Sequence, residues 1–464
     1  YKRQTICLIL FGEFVSLIFQ EANSLILFLE RKVFYKVSYY TKTSSLYIFC
    51  FKIAVFYVSL TPKTIKKLIV NKNMKHYNFD EVIERHGTSC VKFDRLKEMF
   101  GDENLIPLWV ADMDFRTPDF IVEALKKRCE HEIFGYTFGS DEYYESIINW
   151  VHYKHNWKIQ REWISYIPGI VKGIAFAIQC FTQKGDKVII QPPVYHPFRI
   201  VPEKMKREVV YNPLKMVDGI YEMDFDHLES IIDDECKVLI LCNPHNPGGI
   251  VWKKETLVRL ADICAKHNIL VISDEIHAEM AYPQYTHYPF ASVSDTAASC
   301  SVTFMAPSKT FNIAGIVTSY AIVPNDRIRE EFYSFLEAGE FGDGTIFAYT
   351  ATTAAYTYGA EWLQQMRMYI MENVRFVEEF MKQHLPKIKV YQPQASFLVW
   401  LDCRELKLSQ DELVHLFKDK AGLALNDGSI FGPGGEGHMR LNIGCPRSVL
   451  DKAMNALKKA VDKK

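Results

Sequence analysis

Three short segments carry residues from which chemistry could be built, and each follows an apolar run. Asp274, Glu275, Ile276 and His277 follow ILVIS, residues 269–273. Ala306, Pro307, Ser308 and Lys309 follow the run at 301–305, and NPHNPGG (Asn243 to Gly249) follows KVLILC, residues 237–242. Each has an ordinary explanation: an acidic pair caps a helix, a lysine after a strand sits on the surface, and Asn, Pro and Gly build a tight turn. Together, in this order and each behind a buried run, they place a carboxylate, an amine and an amide along one edge of one sheet. An amine forms an imine with an aldehyde, a carboxylate keeps a nearby heterocyclic nitrogen protonated, and an amide orients the imine through a neighbouring oxygen. Pyridoxal 5'-phosphate needs these three groups, because its protonated ring is the electron sink for a Cα carbanion.

The elements that must position these groups are legible as alternating apolar strands and helical periods. Gly169–Phe181 reads as a helix, Lys187–Gln191 as a strand, Lys237–Cys242 as a strand, Lys254–His267 as a helix and Ile269–Ser273 as a strand. Ser301–Met305 and Thr318–Val323 read as two more strands. This βα alternation implies an α/β fold with a mostly parallel sheet covered by helices on both faces. Ligands bind such sheets at the carboxyl ends of the strands. The last hundred residues differ: a long helical pattern from about Gly359 to His384 leads into a strand–helix–strand–helix segment, read as a smaller α/β domain. The expected division is 74–121 as a segment packing with the small domain, 122–358 as a large cofactor domain and 359–464 as the small domain.

The motifs NPHNPGG, SDEIH, APSKTFNIAG and HMRLNIG resemble the class I/II aminotransferases, the fold-type I pyridoxal-phosphate enzymes. The resemblance runs from about Tyr77 to the C-terminus. It implies a large domain with a seven-stranded, mostly parallel sheet and a smaller C-terminal domain. It also implies that Lys309 holds the cofactor as a Schiff base, Asp274 pairs with the pyridine nitrogen, and Asn246 sits near the phenolic oxygen and the substrate. Tyr195 matches the aromatic residue stacked on the ring. His277 lies where relatives place a tyrosine that touches the phenolic oxygen, with a core histidine as the other reading. The Ile170 and Val171 amides, at the start of a helix after Pro168-Gly169, match phosphate ligands. Free N–H groups and the helix dipole favour a dianion there. Ser308 adds a hydroxyl. Tyr136, in FGYTFGS, matches a tyrosine that reaches the phosphate of the neighbouring subunit, which implies a homodimer with shared active sites. Arg440 matches the arginine that grips the substrate α-carboxylate, as a guanidinium fork can.

Finer marks bear on the reaction. Aminotransferases of this type carry a phosphate-binding arginine eight residues after the lysine; here that position is Val317. LWVADMDF (Leu108 to Phe115), FGYTFGS, PPVYHPF, NPHNPGG and SKTFNIAG together look like the cystathionine β-lyase or cysteine-conjugate C–S lyase branch. In that branch the WVADMDF segment contributes backbone near the substrate, here at Val110 and Ala111. The expected reaction is β-elimination of L-cystathionine or a related cysteine S-conjugate to a thiol, pyruvate and ammonia. An aminotransferase and a non-catalytic binding protein of the same fold are the alternatives.

Composition bounds the rest. Of 464 residues, 48% are hydrophobic and 24% charged, with a net charge of −1, which gives no electrostatic case for nucleic-acid binding. Eleven cysteines without a CxxC pair read as reduced thiols in the cytoplasm, and the dispersed histidines give no metal-ligand spacing. Residues 1–73 stand apart, with 11 Lys+Arg against three acidic residues, no Met and no Trp, which leaves the remainder at −9. They are expected to lie upstream of a native start at Met74. A membrane anchor at 44–60 is disfavoured by the central Lys52, whose insertion costs about 2.5–3.5 kcal/mol.

Overall fold

The computed structural model describes residues 75–462. The leader at 1–73 and the expected start at Met74 lie outside the described residues. The unit beginning at His76 is built on a seven-stranded sheet. Its strands are β1 (Ile164–Ile167), β2 (Lys187–Ile190), β3 (Glu208–Tyr211), β4 (Cys236–Cys242), β5 (Leu270–Asp274), β6 (Ser301–Met305) and β7 (Ser319–Ile322). Their spatial order is β1-β7-β6-β5-β4-β2-β3. Only β7 is reversed, pairing antiparallel with both β1 and β6. β2, β4, β5, β6 and β7 each lie within a residue of the run that marks them in the sequence, whereas β1 and β3 have no marked run.

The central strands read as continuous apolar runs because both faces are covered. The pleat sends alternate residues to opposite sides. Val188, Ile190, Val238, Ile240, Ile272, Val302 and Phe304 meet Ile170, Ile174 and Ile178 of the helix Ile170–Phe181. Ile189, Leu239, Leu241 and Val271 meet Leu257, Leu260 and Cys264 of the helix Lys254–Lys266. Six of the helices, in chain order, are α1 (Asp141–His155), α2 (Ile170–Phe181), α3 (Lys254–Lys266), α4 (Ile346–Tyr358), α5 (Ala360–His384) and α6 (Arg447–Asp462). At Gly173 a Cβ would stand 2.8 Å from Ile167 and 2.9 Å from Phe304, so only glycine lets α2 lie this close to the sheet.

After α5 comes a four-stranded antiparallel sheet of β8 (Lys389–Tyr391), β9 (Leu398–Asp402), β10 (Asn426–Asp427) and β11 (His438–Asn442), in the order β8-β9-β11-β10. This corrects the expected strand–helix–strand–helix order: two strands precede the helix Gln410–His415. The three-residue β8 is too short and too exposed at its first position to announce itself by alternation. Ile106–Pro107 pairs in parallel with Leu423–Ala424, so the segment before α1 packs against the C-terminal part. Among the described residues, no helix is long and apolar enough to cross a membrane.

Candidate active site

β4, β5 and β6 are neighbours, and their ends are in register: Cys242 lies opposite Asp274, and Asp274 opposite Phe304. The three motifs therefore leave the sheet side by side at its carboxyl edge. Lys309 turns back from the end of β6, and its Nζ donates to the Ala111 carbonyl at 2.5 Å. Asn246, on the turn after β4, accepts at Oδ1 from Arg440 Nη1 at 3.2 Å. Arg440 arrives from the other sheet, on β11, and its Nη2 donates to Asn426 Oδ1 at 2.5 Å and to the Trp109 carbonyl at 3.0 Å. The two sheets thus meet at one group of polar side chains.

Desolvation governs the charges. Burial pushes the Asp274 carboxyl up to about 7, although the Ile276 amide donates to its Oδ1 at 3.1 Å and the Lys309 amine opposes the shift. Burial also lowers the Lys309 amine, with Arg440 adding to the shift while Asp112 and Asp274 oppose it. The Arg440 guanidinium is lowered by burial to about 10 and remains cationic at neutral pH. No Asp or Glu among the described residues forms an ion pair with it, and its Nε is buried without a partner. The Tyr195 hydroxyl is raised by burial and then by the Asp274 charge. His277 is pushed down to about 3 by burial, then by Lys309 and Arg440, so it stays neutral; Ser396 Oγ stands 3.3 Å from its Nδ1.

At the start of α2 the first bond to the preceding turn runs from the Gly173 amide to the Gly169 carbonyl. The amides of Ile170 and Val171 are thus left without helical acceptors, as at any helix N-terminus. Gly169 has φ 99°, a conformation that brings the chain into the helix from the left-handed side. A Cβ on Gly169 would stand 3.6 Å from Val317 Cγ1, so the position lacking arginine does lie against this helix start. Ser308 is buried close by in sequence to Lys309, with its carbonyl bound by the Ile313 amide at 2.9 Å. Tyr136 is not brought to these groups. It is fully exposed, in a segment without regular secondary structure that also exposes Ile133, Phe134 and Phe138.

Several residues that shape the site gave no signal of their own. Lys92 is completely buried and bonds Asp114 Oδ2 at 2.8 Å. Arg85 pairs with Asp112 at 2.8 Å and with Asp114 at 2.5 Å. Asn312 donates to the Met113 and Phe115 carbonyls at 2.8 and 2.7 Å, and Asn442 to those of Val110 and Asp112 at 2.5 and 2.7 Å. Together they fix the WVADMDF backbone, whose Ala111 carbonyl receives Lys309. Their partners lie tens to hundreds of residues away, which no local pattern encodes.

These groups fit pyridoxal 5'-phosphate. The buried Asp274 lacks the cation that a pyridinium nitrogen would supply, Lys309 is held toward its nucleophilic neutral form, and partnerless amides stand where a phosphate would be received.

Residues 103–457 match the family model for aminotransferase class I and II, and the chain belongs to that family. It is 44% identical over 385 residues to the cystathionine beta-lyase PatB of Bacillus subtilis (strain 168), covering 83% of this chain and 100% of that protein. Among solved structures it is similar to cystalysin from Treponema denticola, which contains a pyridoxal 5'-phosphate cofactor: TM-score 0.81 and 35% identity, over 84% of this chain and 100% of that one. It is also similar to the pyridoxal-phosphate-bound C–S lyase from Staphylococcus hominis: TM-score 0.77 and 33% identity, over 83% of this chain and 98% of that one.

Proposed function

We propose that the chain is a pyridoxal 5'-phosphate-dependent carbon–sulfur lyase that cleaves L-cystathionine or a related cysteine S-conjugate to a thiol such as homocysteine, pyruvate and ammonia. The observation that carries this reading is the meeting of a desolvated lysine, a buried carboxylate and an arginine without a carboxylate partner at one sheet edge. The similarity to a cystathionine beta-lyase and to a C–S lyase supports elimination over transamination.

When bound, the cofactor supplies a protonated ring that accepts the electron pair released at Cα. The residues assigned to hold it are Lys309 through its amine, Asp274 at the pyridine nitrogen, Asn246 and His277 near the phenolic oxygen, and Tyr195 against the ring face. The Ile170 and Val171 amides and the Ser308 hydroxyl take the phosphate, and Tyr136 reaches it from the neighbouring subunit of a homodimer. Arg440 and Asn246 take the substrate α-carboxylate, with the Val110 and Ala111 backbone beside it. Lys309 removes the Cα proton. The Cβ–S bond then breaks, the sulfur leaves with the bonding pair and gains a proton, and water converts the released enamine to pyruvate and ammonia. The Ala111 carbonyl, which accepts from the Lys309 amine, holds the group that would serve as the base. In this reading 74–121 packs with a small domain at 359–464 beside a large cofactor domain at 122–358, and the enzyme works in the cytoplasm, where its thiols stay reduced.

The test is pyruvate release from L-cystathionine by the chain with added pyridoxal phosphate, beside Lys309→Ala. Pyruvate from the wild type and none from the variant is expected. Amino transfer to 2-oxoglutarate without pyruvate would overturn the reading.

A further inference from the structure

Two carboxylates without a role in that chemistry are buried next to it. Glu275, the residue after Asp274, is 0% exposed, and Glu279 is 1% exposed. Glu275 Oε1 accepts from the Ser273 hydroxyl at 2.9 Å and from the Phe290 amide at 2.7 Å, while its Oε2 lies 2.7 Å from His287 Nε2. Glu279 Oε1 accepts from Trp150 Nε1 at 3.1 Å and lies 3.5 Å from His155 Nε2, and its Oε2 accepts from the Thr310 hydroxyl at 3.4 Å. The two imidazoles meet edge to face with centroids 5.2 Å apart. A buried path therefore runs from Asp274 through Glu275, His287, His155, Glu279 and Thr310 to Lys309. It joins the exit of β5, the loop at 287, the end of α1, the turn at 278–280 and the turn that carries the lysine.

Packing alone does not account for this path. Buried ionisable pairs are commonly replaced by apolar residues of similar volume at no loss of stability. His287 Nδ1 is buried with no hydrogen-bond partner among the described residues, a desolvation cost that leucine or phenylalanine would not carry. What the path gains is geometry. Glu275 clamps the backbone that leaves β5 at Asp274, and Glu279 clamps the turn behind Lys309. A misplacement of about 1 Å between reacting groups can cost on the order of 100-fold in rate.

We propose that His287, His155, Glu275 and Glu279 are positioning residues that fix Asp274 relative to Lys309 and so determine how firmly and in what orientation the cofactor ring is held. This rests on the reading of Asp274 and Lys309 as cofactor residues.

The test compares His287→Leu with His287→Gln, whose amide N–H can still donate to Glu275. Cofactor-free protein is titrated with pyridoxal phosphate and followed by tryptophan fluorescence. The visible absorbance of the bound cofactor, kcat and KM for pyruvate release, and the Tm of the cofactor-free protein are recorded. For His287→Leu, cofactor affinity and kcat are expected to fall by about tenfold or more with a displaced absorbance band and little change in KM. The glutamine variant should return both to within about threefold of wild type. A leucine variant that keeps wild-type affinity, kcat and spectrum, or a folded glutamine variant that behaves like leucine, overturns the proposal. Should the leucine variant not fold, the near-isosteric Thr310→Val, which cuts the path at its other end, decides: a lowered kcat with a displaced band supports it, and wild-type behaviour overturns it. A wild-type protein that takes up no pyridoxal phosphate would instead remove the reading beneath it.

Discussion

Arg440→Leu removes a buried guanidinium that has no carboxylate counterpart among the described residues, so its effect on substrate can be worked out from the site. The side chain is 3% exposed and is anchored by Asn246 at 3.2 Å, Asn426 at 2.5 Å and the Trp109 carbonyl at 3.0 Å, while Nε has no partner. Truncating one member of a buried, hydrogen-bonded charge pair costs about 2–5 kcal/mol. At about 1.4 kcal/mol per tenfold, kcat/KM for L-cystathionine falls by about 30- to 5,000-fold. The anchoring acceptors lose a donor too, at about 1–3 kcal/mol, and that loss registers in thermal stability rather than in the response to substrate. The assay is steady-state pyruvate release over a range of cystathionine concentrations, with the cofactor absorbance recorded to confirm loading. Arg440→Lys keeps the charge but not the fork and should fall between the two. A loaded Arg440→Leu protein with kcat/KM within about threefold of wild type would refute the assignment of Arg440 to the α-carboxylate.

Asp274 gives a pH-dependent outcome. Its folded carboxyl is raised from 3.8 to about 7, so its contribution is fully present below the unfolded value and is lost as pH rises through the folded one. Cofactor-free wild type should therefore lose stability relative to Asp274→Asn between pH 4 and 7, by a few kcal/mol at most, in parallel thermal melts. Lys92→Met leaves Asp114 with Arg85 as its remaining cation; thermal denaturation should show a loss of about 3 kcal/mol, and KM should rise as the WVADMDF backbone loosens. Tyr136→Phe should speed cofactor loss on dialysis without changing the mass measured by sedimentation, and a monomeric wild type would contradict the shared site.

Five strands of the sheet and the three motifs that leave its edge were legible in the amino-acid sequence. β4, β5 and β6 are apolar runs because both faces are buried, and Asn246, Asp274 and Lys309 are placed by following those runs to their ends. Those relations are local, set by periodicity and by the chain direction of a parallel sheet. The tertiary structure alone decided how β11 delivers Arg440 to Asn246 across 194 residues, and how Asn312, Asn442, Lys92 and Arg85 lock the backbone that receives Lys309. It also decided which histidines stand behind the site: His155 and His287 lie on different elements and meet only because α1 packs beside the loop that follows Asp274. Nothing in the spacing of these polar residues specifies a partner, because a buried charge or amide is satisfied by whichever group the fold brings within hydrogen-bond reach.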